Sequence, residues 1–379
     1  MTLYGLIVLN VLTHSVYSGS RVAVALYAIH LKSSPFTVGT LLALYAALPM
    51  FLSIGAGRLS DRVGSRGPMI AGAGTMILGA ALPYFARDLL GLATASVLIG
   101  CGFMLYQVAM QHLVGFIGRP EDRAVNFSVM ALGYSVSAVI GPMVVGFGID
   151  GIGHPATFLL LSLFPVAPLA ALAANRPRLP RPRHQRSPQG SRSVMDLLRN
   201  PQLRIVYISS ALISVGWDLY LFVAPIYGSR IGLSATMIGV VMSSFAAATF
   251  AVRLFLPLIG RRVKPYQLIT VALLLSGATY FLFPLFTGVA MLIVLSFVLG
   301  MGLGCAQPMV MAMIHDTAPE GRAGEAVGVR AMLISGSQTF TPVLFGAVGS
   351  AVGMFPVFWA IAAALTAGGL FARKQSVLR

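Results

Sequence analysis

Charged side chains are scarce in the apolar segments of this sequence, and two of opposite sign occur in different segments. Arg21 shares one helical face with Asn10, His14 and Tyr17, because these residues recur at spacings of three and four. Asp218 lies on a similar polar face of a later segment. An isolated charge in an apolar medium costs several kcal/mol unless it is paired or hydrated. A guanidinium binds carboxylates, and a poorly hydrated carboxyl group takes up protons, so both residues are candidates for chemistry.

The remaining residues form no motif that is typical of a metal site, a cofactor site or an enzyme active site. Cys101 and Cys305 lie in separate apolar segments with no second cysteine nearby, so we predict neither a disulfide nor a metal site. The sequence has no HExxH, no GxSxG and no GxxxxGK[ST] loop. A sensor would carry an added soluble domain, for which the chain has little room. We therefore predict that the protein is not an enzyme, uses no cofactor and does not hydrolyse ATP.

The composition points to a protein whose fold is built within a bilayer. Of 379 residues, 57% are hydrophobic and only 9% are charged, whereas soluble domains have about 25% charged residues. The apolar runs are long enough for helices that cross about 30 Å of hydrocarbon, and they lack the alternation of barrel strands. The sequence predicts an all-α integral membrane protein with helices at 4–30, 36–58, 68–86, 89–116, 124–149, 155–174, 203–228, 235–258, 266–287, 289–314, 326–350 and 354–372.

The distribution of basic residues predicts the orientation of these helices. With both termini in the cytoplasm, 20 of the 26 lysines and arginines lie on the cytoplasmic side and three on the outside, the other three being within helices. This bias follows the positive-inside rule. It also accounts for the net charge of +16, so we predict a bilayer environment and no nucleic-acid partner.

An internal repeat divides the chain into two related halves. At an offset of 200 residues, identical residues superpose, among them Gly100 on Gly300, Gln107 on Gln307 and Pro142 on Pro342. A segment rich in proline, arginine and serine lies between the halves. We predict a six-helix bundle at 1–174, a cytoplasmic linker at 175–202 with a short helix at 194–199, and a second six-helix bundle at 203–379.

Two motifs resemble those of the major facilitator superfamily. The sequence GRLSDRVGSRG after the second helix is similar to the hallmark loop of that superfamily, and the matching residues include Gly57, Asp61, Arg62, Gly64 and Arg66. The fifth helix resembles the glycine-proline motif of the superfamily's antiporters at Gly141, Pro142 and Gly146. Ser137 and Val145 replace two glycines that are usual there.

The resemblance implies two six-helix bundles related by pseudo-twofold symmetry, working by alternating access. It also implies that Asp61 forms a cytoplasmic latch with the start of the eleventh helix, around residues 324–328. The corresponding loop of the second half, LIGRRVKP, has no acidic residue, so we expect an asymmetric latch. The alternative is that the first loop only sets orientation and turn geometry.

Helices 1 and 7 line the central cavity in the superfamily, and this implies roles for the polar residues. The 200-residue offset places Asp218 on Ser18, one helical turn from Arg21. We expect Arg21 to bind an acidic group of a small solute and Asp218 to pair with it or take up the coupling proton. A permanent salt bridge between the two halves is the alternative. Further expected solute contacts are His14, Tyr17, Trp217, Gln307 and Gln338. Arg253 is a candidate second cation, although it and Arg330 lie close enough to the cytoplasmic side to extend their guanidinium groups there.

These observations predict a proton-coupled exporter of a small anionic or zwitterionic organic solute. Two alternatives remain open: broad efflux of lipophilic drugs through an aromatic cavity, and proton-driven uptake. We expect a monomer in a bacterial inner membrane, with a small-molecule solute, protons and lipid as partners.

Overall fold

The computed structural model describes residues 3–115, 123–174, 194–259, 265–317 and 323–377. Helices account for nearly all of these residues, and none of them is in a strand. In the first part of the chain the helices are α1 Leu3–His30, α2 Pro35–Val63, α3 Arg66–Phe85, α4 Leu89–Gly115, α5 Arg123–Ile152, α6 His154–Ser162 and α7 Val166–Ala173. In the second part they are α8 Val194–Arg199, α9 Pro201–Arg230, α10 Ala235–Ile259, α11 Pro265–Leu282, α12 Val289–Thr317, α13 Ala323–Val352 and α14 Met354–Val377.

The all-helical prediction is confirmed, and most boundaries agree to within a few residues. The short linker helix was expected at 194–199 and is α8, Val194–Arg199. Ten helical segments within the described residues are long and apolar enough to cross a membrane. The two long helices outside that set are α1 and α13, which carry Arg21 and Arg330. The remainder of the predicted linker, 175–193, lies outside the described residues.

Two predicted helices are interrupted by proline. The sixth predicted helix is two helices, α6 and α7, separated at residues 163–165. Pro165 has no N–H to donate back along the helix, and the turn instead closes through Phe164 N to Leu161 O at 3.2 Å. The ninth ends early, because α11 stops at Leu282 and a 3₁₀ turn containing Pro284 follows.

The described helices group into two compact units. Unit 1 comprises Met1–Arg186 with Pro225–Ser243, and unit 2 comprises Ser187–Ala224 with Ser244–Arg379. The end of α9 and the first two turns of α10 thus pack with unit 1. The domain boundaries drawn from the sequence at 174 and 203 stay a prediction.

Each unit has its own closely packed helix pairs. In unit 1, α3 packs on α4 and α1 on α5, around a core that includes Met69, Tyr106 and Met110. In unit 2, α11 packs on α12 and α14.

Glycine contacts repeat between the units at the 200-residue offset. A Cβ at Gly100 would collide with the backbone carbonyl of Tyr45, and a Cβ at Gly300 would collide with that of Phe245. Gly100 therefore allows α4 to approach α2 closely, and Gly300 allows α12 to approach α10 in the same way.

Candidate functional site

Among the described helices α1 to α7, only α1 has an arginine far from both of its ends, and this residue is Arg21. Its side chain is only 7% exposed. The guanidinium carbon lies 5.8 Å from the centre of the Tyr17 ring, one turn earlier on α1. Nε makes no hydrogen bond within the described residues. Within the described residues, this Nε is therefore a buried donor available to an anionic partner.

An aromatic cluster lies beside Arg21 in unit 1. The Tyr17 ring stacks on Phe103 of α4, with centroids 4.0 Å apart, and meets Tyr45 of α2 edge-on at 5.8 Å. His14 extends the cluster along α1, with its ring centroid 5.4 Å from Phe103 and 4.9 Å from Tyr134 of α5. This arrangement presents apolar ring surface next to a cation.

Hydrogen bonds connect the polar face of α1 to its neighbours. His14 Nδ1 lies 2.6 Å from the Ser137 hydroxyl on α5. The Gln107 side-chain amide on α4 donates to the Tyr134 hydroxyl. Asn10 is completely buried, and its amide makes no hydrogen bond within the described residues. Because an unsatisfied buried amide is costly, this end of the face also has donor and acceptor capacity for water or solute.

Asp218 occupies an equally buried position in unit 2. Its side chain is 2% exposed, and the Ser337 hydroxyl of α13 donates to its Oδ2 over 2.8 Å. Thr341 lies one turn further along α13, with its hydroxyl 3.3 Å from that of Ser337. Ser137 and Ser337 are equivalent at the 200-residue offset, so each unit uses the same serine position to bind the ionisable residue on its first long helix.

Two arginines of unit 2 contact neighbouring polar or aromatic side chains. Arg330 donates from Nε to Ser210 over 3.1 Å and from Nη2 to Gln307 over 3.0 Å. Its guanidinium is thus bound by α9 and α12 side chains, which differs from the expected extension toward the cytoplasm. The Arg253 guanidinium lies 6.0 Å from the Trp217 ring, which packs against Phe245 at 4.8 Å. Gln338 is half-buried on α13, next to Ser337.

The hallmark sequence is mostly helical rather than a loop. Helix α2 continues to Val63, and Gly64, with φ of 82°, ends it by donating its N–H to Ser60 O. Only the residues between Val63 and Arg66 form the turn. Arg66 then donates to the carbonyls of Leu172 and Ala173 at the end of α7, each over 2.9 Å. The surroundings of Gly57 and the side chains of Asp61 and Arg62 lie outside what the structure describes, as do the side chains of residues 324, 325, 327 and 328 at the expected docking position.

The helix 5 motif lies at contacts where backbones approach closely. A Cβ at Gly141 would come within 2.7 Å of Gly19 N on α1. A Cβ at Gly146 would come within 2.7 Å of Ala235 O at the start of α10, and one at Gly239 within 2.6 Å of Pro142 O. The motif therefore allows α5 to pack tightly on both α1 and α10.

A model of the family described as the Major Facilitator Superfamily matches residues 6–289 and 206–376, which together cover nearly the whole chain. The chain belongs to the major facilitator superfamily. It is thus a multi-pass membrane protein of a family of secondary transporters, as the two motifs suggested.

Among curated proteins, this superfamily member is similar to the quinolone resistance protein NorA of Staphylococcus aureus. The sequences of strains MRSA252 and Mu50 are each 23% identical over 161 residues. That match covers 42% of this chain and 42% of NorA, which is less than half of the relative's length.

Solved structures of POT transporters share the fold. A POT family transporter in complex with a thioalcohol-conjugated peptide has a TM-score of 0.81 at 17% identity, covering 99% of this chain and 96% of that chain. A mutant of the peptide transporter POT in complex with sulfate has a TM-score of 0.82 at 16% identity, covering 99% and 94%. At such identity the likeness concerns the fold alone.

Sequence reasoning missed three residues of these networks, Tyr134, Ser137 and Ser337, and it also missed the hydrogen bonds of Arg330. The repeat contained a signal for two of them. Ser137 and Ser337 superpose at the 200-residue offset, and each contacts an ionisable residue on the first long helix of its unit. Among the residues that the structure describes, no group of three His, Cys, Asp or Glu could hold a metal ion.

Proposed function

We propose that this member of the superfamily is a proton-coupled exporter of small organic solutes that are anionic or zwitterionic. The observation that carries the proposal is Arg21, a buried guanidinium on α1 whose Nε makes no hydrogen bond within the described residues. A charge in this position is costly unless an anion or water accompanies it. A carboxylate of the solute would supply that anion.

The other polar residues have distinct roles in this proposal. The ring of Tyr17 packs against the apolar part of the solute, and His14 supplies a hydrogen bond. Gln307 and Gln338, with Trp217, contribute contacts from the second half. Asp218 takes up the coupling proton, and Arg253 is a second cation. Release of the proton and of the solute on opposite sides then follows from alternating access, because each ligand favours one conformation over the other.

The orientation belongs to the same proposal. The excess of basic residues in alternate connections supports a bacterial inner membrane location with both termini in the cytoplasm. Resistance to an antibiotic is what its export would produce, so the partial similarity to a quinolone resistance protein supports the outward direction. We propose that the monomer is the transporting species.

The test is transport by purified protein in proteoliposomes with an imposed pH gradient. The probes are radiolabelled benzoate, glutamate and glycine, with the lipophilic cation tetraphenylphosphonium for comparison. Loss of a charge-assisted contact worth about 1.5–3 kcal/mol should raise KM for the anionic probes about 10- to 100-fold in Arg21→Ala, with partial recovery in Arg21→Lys. Asp218→Asn should abolish acceleration by the pH gradient while leaving exchange of solute across the membrane.

Arg87→Ala is the matched control, because Arg87 is an exposed arginine that also lies over a tyrosine ring, 5.6 Å from the centre of Tyr84. It should transport at native rates. Native KM values in Arg21→Ala, for a protein that elutes and melts like the native chain, would contradict the assignment of the solute site.

A second candidate function, broad efflux of lipophilic drugs, is favoured by the stack of Tyr17 on Phe103. Such a site would depend on ring surface rather than on the guanidinium. In the same liposomes, Tyr17→Leu would then impair tetraphenylphosphonium transport more than Arg21→Ala does. If the protein exports anionic solutes, Arg21→Ala should instead impair benzoate transport more than Tyr17→Leu does. Tetraphenylphosphonium should then not be transported.

A further inference from the structure

The end of α5 is bonded to the beginning of α10 within unit 1. Asp150, two residues before the end of α5, accepts hydrogen bonds from the backbone of the first turn of α10. Its Oδ1 lies 3.1 Å from Ala235 N and its Oδ2 lies 2.7 Å from Thr236 N. A carboxylate at this position is also favoured by the positive end of the helix dipole.

These two bonds complete the hydrogen bonding of the helix terminus. The first four N–H groups of any helix have no partner within the helix. In α10, Asp150 binds the first two, while Ser234 binds the next two through its hydroxyl, 3.2 Å from Met237 N, and its carbonyl, 3.1 Å from Ile238 N. Asp150 therefore supplies from another helix what the local sequence does not.

The repeat-equivalent helix start, that of α2, differs at the first of these two donors. Ser34 caps α2 as Ser234 caps α10, with Thr37 N 3.2 Å from the Ser34 hydroxyl. Pro35 stands in α2 at the position of Ala235, and it has no N–H to be bonded. Asp150 correspondingly aligns with Ser350, which carries no charge. At the 200-residue offset, the charged acceptor Asp150 and the donor Ala235 are thus replaced by an uncharged serine and by a proline.

Next to Asp150, α5 and α10 approach each other closely through small residues. The Gly146 and Gly239 positions leave no room for a Cβ against the facing backbone. Ser243, further along α10, donates its hydroxyl to Val139 O over 2.9 Å. Small residues and single hydrogen bonds hold this surface, in place of long interlocking side chains.

We propose that Asp150 and the first turn of α10 form an outer latch, which is closed in this structure and opens when the transporter faces outward. The location of this contact on the outside of the membrane rests on the proposed topology. The contact joins α5, which belongs to the first repeat, to α10, which belongs to the second. The superfamily resemblance implies the same chemistry for Asp61 on the cytoplasmic side. There too, a carboxylate of the first repeat would bind the start of a helix of the second. Because Asp150 is exposed, water replaces its bonds readily, which makes the latch weak and reversible.

The test measures how often α10 separates from α5. With Cys101 and Cys305 replaced by alanine, Ser243→Cys places a single thiol in the contact, where Ser243 is 5% exposed. A membrane-impermeant maleimide added to right-side-out vesicles reports outward opening. Asp150→Ala should raise the labelling rate about two- to five-fold, as expected for a charge at an exposed helix start. Asp150→Asn, which keeps one acceptor oxygen, should give a smaller rise.

Ala235→Pro breaks the same latch from the other side. Proline is well tolerated at the first position of a helix, and the change reproduces the sequence of α2 at Pro35. It should raise labelling, and the combination with Asp150→Ala should add less than the sum of the two single effects.

Asp88→Ala is the matched control, because Asp88 is also an exposed aspartate assigned to the outside, and it binds the first turn of α4 through Gly91 N at 2.7 Å. It should leave the labelling rate unchanged. Unchanged labelling in both Asp150→Ala and Ala235→Pro, or an equal rise in Asp88→Ala, would overturn the latch. No solute is involved, so this outcome is separate from failure of the proposed transport function.

Discussion

At the scale of single residues, each unit has an ionisable side chain that contacts a serine at the same repeat position. Ser337 donates to Asp218, and Ser137 lies within hydrogen-bond distance of His14. The two serines differ in the group that they contact, which is a carboxylate for Ser337 and an imidazole for Ser137. A carboxylate depends on donors more than an imidazole does, because it can only accept when ionised.

Ser337→Ala should therefore destabilise the protein. It removes a buried hydrogen bond to an ionisable group, and such bonds are worth about 1.5–3 kcal/mol when one partner is charged. We expect a lower melting temperature in detergent and slower transport driven by a pH gradient. Ser337→Thr, which retains the hydroxyl, should restore both. Equal melting temperatures for the alanine variant and the native protein would show that Asp218 does not depend on this donor.

At the scale of helices, glycines decide how closely neighbouring backbones approach. Gly100 faces the carbonyl of Tyr45, and the equivalent Gly300 faces that of Phe245. Gly74, in the middle of α3, has open space where a Cβ would stand. The same substitution should thus have opposite consequences at these positions.

Gly100→Ala and Gly300→Ala should each destabilise the protein by about 1–3 kcal/mol, because an added methyl group displaces a packed backbone. Gly74→Ala should be neutral or stabilising by up to about 1 kcal/mol, since alanine favours the helix. Thermal unfolding followed by circular dichroism measures all three. A loss of stability in Gly74→Ala as large as in Gly100→Ala would refute the packing explanation.

At the scale of the whole molecule, the distribution of charge predicts orientation. Most basic residues lie in alternate connections, including the linker 175–202. A green fluorescent protein fused after Gly190 should fluoresce, and alkaline phosphatase fused after Gly288 should be active, because these reporters function in the cytoplasm and outside it respectively. Each reporter exchanged to the other position should be silent. The reverse pattern would invert the topology and place the Asp150 latch on the cytoplasmic side.

Local properties of the chain determined the fold class before any contact was known. Helix bounds such as 89–116 and the linker helix at 194–199 follow from runs of apolar residues and their interruptions, which act residue by residue. The charge bias and the 200-residue repeat are likewise properties of sequence alone. The polar face of α1, from Asn10 to Arg21, required only the periodicity of a helix.

The partners of those residues were decided only by tertiary structure. In a bilayer, lipid is as apolar as leucine, so hydrophobic patterning does not set the rotation of one helix against another. The bonds of Asp150 to Ala235 and of Arg330 to Gln307 depend on that rotation. Periodicity identified the residues able to do chemistry, but the packing of helices around them selected which ones meet.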